Sequence, residues 1–287
     1  MAGRYATVLQ TFWRVLTRTY VKFGEDNGPL LASGLAFTIL LFCIPFSLLI
    51  VLALEFALGD PERALDALQA ILNEFLPLTR KAFTENLEMA IANRGLMGIL
   101  GFAMFFLMSS LIFGSARTAL NTVFQVPRPS SFLKATASDV LVMLLSSALM
   151  LLMVALTSLF TLAKGAVERV PHLEALIGPG WIFANDLLGF LFTFALLYLV
   201  YRFCPSHCLQ RPALLVAAFA GAALFELSKW AYAWYVELSQ KNILVYGGVG
   251  DLFFFFVWIY YASAVVILGA EIGWVVQETL LASGEDW

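Results

Sequence analysis

The chain has little charge, few cysteines and almost no histidine. Asp, Glu, Lys and Arg make up 13% of its 287 residues, about half the roughly 25% of a soluble domain. That is too little charge to clothe a water-facing globule of this length. The net charge of −3 gives no basic field for nucleic acid. Three cysteines, two of them four positions apart, make no disulfide framework. His172 and His207 are the two histidines; they fall in loops assigned to opposite sides, and no aqueous segment holds a carboxylate cluster for a metal pair. Neighbouring motifs do not assemble a Ser-His-Asp arrangement either. Gly95, Gly98 and Gly101 are not a phosphate loop, because no Lys-Ser/Thr follows them. No ATP site and no cofactor site is therefore expected, and the chain does not read as an enzyme.

What the chain has instead is apolar length. It is 61% hydrophobic, with a mean hydropathy of +0.85. Several runs approach the roughly 20 residues that cross a bilayer as a helix. The first begins near Leu30, too late and too long for a signal-peptide core, so no cleavable leader is expected.

Residues 1–29 read as an amphipathic N-terminal helix at the cytoplasmic surface. Phe12, Trp13, Leu16, Tyr20 and Phe23 recur at helical spacing, with Arg4, Arg14, Arg18 and Lys22 between them. This suits a helix at headgroup level, or a solvated helix docked on the bundle. Asp26 to Pro29 reads as a capped helix start. Residues 30–276 read as the membrane domain, with spans at about 30–58, 95–120, 139–163, 181–201, 212–236 and 251–276. Pro45 predicts a kink in the first. Residues 60–94 carry two short apolar stripes and read as an external helical hairpin. Residues 277–287 form a short tail. The expectation is an all-α, six-helix polytopic membrane protein. Six spans place both termini on one side, and the basic residues before the first span favour the cytoplasm.

Four runs resemble the YihY/BrkB family of bacterial membrane proteins: LLASGLAFTILLFCIPF (30–46), ALNTVF (119–124), LFELSKWAYAWYV (224–236) and YGGVG with FVWIYYASAVVILGAEI (246–272). The resemblance covers nearly the whole chain. It implies six transmembrane helices in the bacterial inner membrane and no single settled activity. Family members carry ribonuclease, virulence or serum-resistance labels, and the resemblance raises the expectation of an envelope-lipid transport role. The matching positions are Pro45, Asn121, Glu226, Lys229, Tyr246, Gly247 and Glu271. Arg117 and Asp186 lie outside these motifs. Cys204, His207 and Cys208 stand where the family has a Pro-containing polar loop, of which Pro205 remains.

The residues that invite a role are the charges inside the spans. A charge at mid-membrane costs about 2.5–3.5 kcal/mol on insertion scales. Glu271 lies deep in the last span, between Gly269 and Gly273, whose spacing predicts close helix packing. Glu226 and Lys229, three apart, share one face of the fifth span. By depth, Asp186, Lys229 and Glu226 form an outer tier. Arg117 and Glu271 form an inner tier, with Asp139 near its edge and Asn121 within reach of Glu271. The depth match predicts an Arg117–Glu271 pair. Each tier reads either as a clamp holding helices in register or as a polar pathway for a lipid or amphipathic envelope molecule. Membrane lipids are the expected partners, and the small-residue motifs allow packing within the chain or between copies. Cys204, His207 and Cys208 lack a fourth nearby ligand, so no metal site is expected.

Overall fold

A computed structural model describes residues 2–58, 94–126, 136–149, 152–153, 156, 171–243 and 248–283. Among them there are helices and connecting turns, and no strand. Seven helices follow in order: α1 (Ala2–Glu25), α2 (Gly28–Leu58), α3 (Arg94–Val123), α4 (Thr136–Leu149), α5 (Pro171–Phe203), α6 (Arg211–Ile243) and α7 (Gly248–Ser283). In a bilayer every backbone N–H and C=O needs an internal partner, and a helix supplies one within its own segment.

Among the described residues four stretches are long and apolar enough to span: Gly101–Val123, Asp186–Phe203, Arg211–Tyr235 and Phe253–Leu281. A fifth is reached if Trp13–Glu25 and Gly28–Cys43 count as one broken span. The expected hairpin at 60–94 falls almost wholly outside the described residues, as does most of the expected third span beyond Leu149. One expected boundary moves. The helix before the fourth span begins at Pro171, not near Trp181, and passes through Gly178-Pro179-Gly180. α2 begins at Gly28, within the expected start at Asp26 to Pro29 and with Pro29 in its first turn; Asn27, with a φ of 54°, closes α1 just before it, its N–H reaching the Gly24 carbonyl at 3.1 Å. Asn tolerates this left-handed conformation better than most side chains. α2 continues as one helix through Pro45, which is buried.

The described chain divides into two compact units. One comprises Met1–Gly28, Arg117–Leu227 and Val265–Trp287; the other comprises Pro29–Ala116 and Ser228–Ala264. In the first, α6 and α7 pack backbone to backbone. A Cβ on Gly269 would lie 2.9 Å from Gly221 Cα and 2.6 Å from Tyr201 Oη; one on Gly273 would lie 2.5 Å from Ala217 Cβ. The spacing expected to bring helices together does so here within the chain. Tyr201, fully buried, donates its hydroxyl to the Val266 carbonyl at 2.7 Å. The Ala213 and Ala217 carbonyls line the same contact, and Ala213, Leu214, Ala217 and Ala218 on α6 are fully buried.

The second unit is held by aromatic contacts. Phe42 stacks on Phe46 and meets Phe105. Tyr232 packs on Trp258 and donates its hydroxyl to the Phe254 carbonyl at 3.0 Å. Large apolar side chains stay outward on many helices, Ile99, Leu107, Phe219 and Trp230 among them. A bilayer solvates such a surface as water cannot.

Candidate functional site

Two groups of charged side chains in the first unit meet at the ends of helices. The C-terminus of α3 is closed by a reverse turn: Gln125 N–H reaches the Thr122 carbonyl at 3.0 Å and Val126 N–H reaches the Asn121 carbonyl at 2.9 Å. This two-bond arrangement satisfies carbonyls that the helix leaves open. It requires a left-handed residue, and Gln125 supplies it with a φ of 48°. The Val123 carbonyl takes a donor from elsewhere. Lys22 Nζ, from α1, reaches it at 2.9 Å.

Lys22 is the centre of this site. It is 2% exposed. Besides the Val123 carbonyl, its ammonium bonds the Asp26 carboxylate one turn on and lies 2.8 Å from Glu271 Oε2. Glu271 is 0% exposed. Its contact with Lys22 is Coulombic, because neither Glu271 oxygen finds hydrogen-bond alignment with a partner among the described residues. Lys22 also stands 5.6 Å from the centre of the Trp274 ring, within cation–π range, and Trp274 stacks on Phe124. Thr19 Oγ1 and Trp274 Nε1 are buried without hydrogen-bond partners among the described residues. One ammonium thus serves two carboxylates and a helix terminus, away from solvent.

A second cluster repeats the device. Arg117, on α3, donates Nε to the Cys204 carbonyl at 3.0 Å and pairs through Nη2 with Asp139 of α4. Ser138 donates to the Phe203 carbonyl. Together they satisfy the open carbonyls at the end of α5. Asn121 holds the following turn from both sides: its Oδ1 accepts the Ser206 N–H at 2.8 Å, and its Nδ2 donates to Ser206 Oγ at 3.3 Å. Burial pushes the Cys204 thiol up to about 12, against a smaller opposing pull from the Arg117 charge.

The expected Arg117–Glu271 pair is therefore not formed. Arg117 takes Asp139, and Glu271 takes Lys22. Asn121 turns to Ser206 rather than to Glu271. Similar depth is a necessary condition for pairing, and it does not fix which face of a helix a side chain occupies.

The family described as "Virulence factor BrkB" matches residues 19–287. The chain belongs to the BrkB family. Similar proteins include a UPF0761 membrane protein of Pseudoalteromonas atlantica, 24% identical over 92% of this chain and 86% of its own length. The UPF0761 membrane protein YihY of Salmonella typhimurium is 25% identical over 94% and 90%. A UPF0761 membrane protein of Alcanivorax borkumensis is 27% identical over 92% of this chain and 60% of its own. No solved structure matches.

In this BrkB-family chain the remaining candidates lie apart from the Lys22 cluster along the sequence. Glu226 and Lys229 are half-buried, three residues apart on α6, and Glu226 Oε1 is shielded from solvent. Asp186 is exposed at the start of the apolar part of α5 and makes no ion pair among the described residues. Among the described residues no group of three His, Cys, Asp or Glu side chains is placed to share a metal. Cys204 is buried, and the exposed Cys208 lies beside Arg202.

Sequence reasoning missed Lys22, Asp26, Ser138 and Trp274. A signal for the first two was present. Lys22 lies on the opposite side of α1 from Trp13 and Tyr20, and Lys22 and Asp26 are four apart, the spacing of an ion pair across one helical turn.

Proposed function

We propose that this membrane protein moves a lipid or another amphipathic envelope molecule in the bacterial inner membrane. It does so as a six-span bundle with both termini cytoplasmic, α2 and α4 contributing to the two spans beyond the four most apolar helices. The observation that carries the reading is the Glu226–Lys229 stretch. Two opposite charges, half-buried and on one face of a helix, sit within a segment otherwise apolar enough to span. Such groups face a bundle interior or a water-filled path in membrane proteins, where a zwitterionic or anionic headgroup exchanges its hydration for them. Without a nucleotide motif in the chain, movement is passive, ion-coupled or driven by a partner.

A second reading has its own support. The Lys22–Glu271 and Arg117–Asp139 pairs fit an envelope scaffold whose charges only clamp helices.

Lipid movement in proteoliposomes separates the two. Labelled phospholipid and a quencher confined to the outer leaflet report flipping. Wild type flips lipid faster than empty vesicles, and Glu226→Gln with Lys229→Met loses the excess while remaining folded. Equal rates in wild type and empty vesicles would refute transport of phospholipid and favour the clamps.

A further inference from the structure

The outer side of α1 is divided in a way that a helix merely docked on a bundle does not require. Its buried side carries Thr19 and Lys22, with Val15 and Phe23 half-buried beside them. Going round the helix, one flank holds Leu16, Tyr20 and Trp13. Tyr20 is 80% exposed and Trp13 66%. The other flank holds Val21, Arg14 and Arg18, all exposed. Arg14 and Arg18 are four apart, so both guanidinium groups leave the helix in one direction. No acidic residue occurs in α1 before Glu25.

The rotation of α1 about its own axis is fixed. Lys22 is tied to Val123, Asp26 and Glu271, and the Phe23 ring lies where a Cβ on Gly28 would stand, 2.2 Å away. The two flanks are thus held at a set angle: an aromatic one that belongs at the boundary of the acyl chains, and a cationic one beside it at the level of phosphates. Trp and Tyr favour that boundary, and guanidinium groups match phosphate oxygens in paired bonds.

We propose that Arg14, Arg18, Trp13 and Tyr20 form a docking face for an anionic phospholipid, with the phosphate on the arginines and the glycerol and upper acyl chain against the two rings. Charge complementarity selects the occupant: two cations that make no ion pair among the described residues flank an aromatic platform. The inference does not depend on the transport reading, since a scaffold would need the same anchor.

The test uses the full-length protein in detergent micelles containing equal phosphatidylglycerol and phosphatidylcholine, with bound lipid counted by mass spectrometry after size exclusion. Wild type retains phosphatidylglycerol in preference. At about 1 kcal/mol per basic residue near an anionic lipid, Arg14→Gln with Arg18→Gln reduces that preference roughly 30-fold at this site. Arg14→Lys with Arg18→Lys keeps most of it. Trp13→Ala with Tyr20→Ala weakens both lipids and leaves their ratio unchanged. If the glutamine variant does not fold, wild type at 50 and 500 mM salt gives the same test, because the preference collapses at high salt. Equal retention of the two lipids by wild type, or an undiminished preference in the folded glutamine variant or at high salt, would overturn the proposal.

Discussion

Replacing Lys22 by Met is the sharpest perturbation available. It keeps the length and apolar stem of the side chain and removes only the ammonium. Three acceptors then lose their partner at once: the Asp26 carboxylate, the Val123 carbonyl and Glu271, which is fully buried. Breaking a buried ion pair from one side costs about 3–5 kcal/mol, because the other charge stays behind unpaired. At roughly 2–4 °C per kcal/mol for a chain of this size class, the midpoint should fall by about 10 °C. A thiol-reactive dye reads it. Cys204 is buried and its thiol stays protonated until far above neutrality, so with Cys43 and Cys208 changed to Ser it reports only unfolding. Adding Glu271→Gln to Lys22→Met should recover much of the loss, since the stranded charge goes with it. A Lys22→Met protein within about 1 kcal/mol of wild type, or a double variant as unstable as the sum of the singles, would refute the account of Lys22 as the hub.

The other expectations are smaller. Gln125→Gly should raise stability by about 1 kcal/mol, because glycine adopts the left-handed φ of 48° without the Cβ penalty; a lowered midpoint would contradict this. Gly269→Ala should cost about 1–3 kcal/mol, since the new methyl meets Gly221 Cα at 2.9 Å and backbone must move. Thr19→Val should be neutral or stabilising in thermal unfolding, as its buried hydroxyl has no hydrogen-bond partner among the described residues. The Cys204 thiol is raised from its ordinary 9.0 to about 12. Its stabilising contribution is therefore complete below pH 9 and lost as the pH rises toward 12; Cys204→Ala should flatten that part of the profile.

The sequence displayed its helices because apolar runs of spanning length have few other solutions in a bilayer. It displayed a close approach at Gly269 and Gly273, because glycine at i and i+4 leaves a groove that a neighbouring backbone fills, but not that α6 is the helix that fills it. Glu271 stood out for its cost. Its partner did not, because Lys22 lies in a helix whose cations looked like a solvated covering, and nothing in linear order joins residue 22 to residue 271. Arg117 illustrates the same gap. Its carboxylate partner was chosen by depth, whereas the structure chose it by the need to close the end of α5, a demand that exists only once α3, α4 and α5 are packed. The start of α5 moved, from near Trp181 to Pro171, because Gly and Pro signal breaks that a helix can still run through.

The tie between Lys22 and Glu271 also has a consequence in time. A ribosome adds about 5–20 residues per second, so Glu271 follows Lys22 by on the order of 10–50 s. Through that interval the ammonium has only its neighbour Asp26 and, later, the end of α3. The contact becomes whole only when α7 is inserted. A chain cut short before residue 271 keeps its N-terminal helix without the carboxylate that pairs with Lys22, so that helix is fastened last although it is made first.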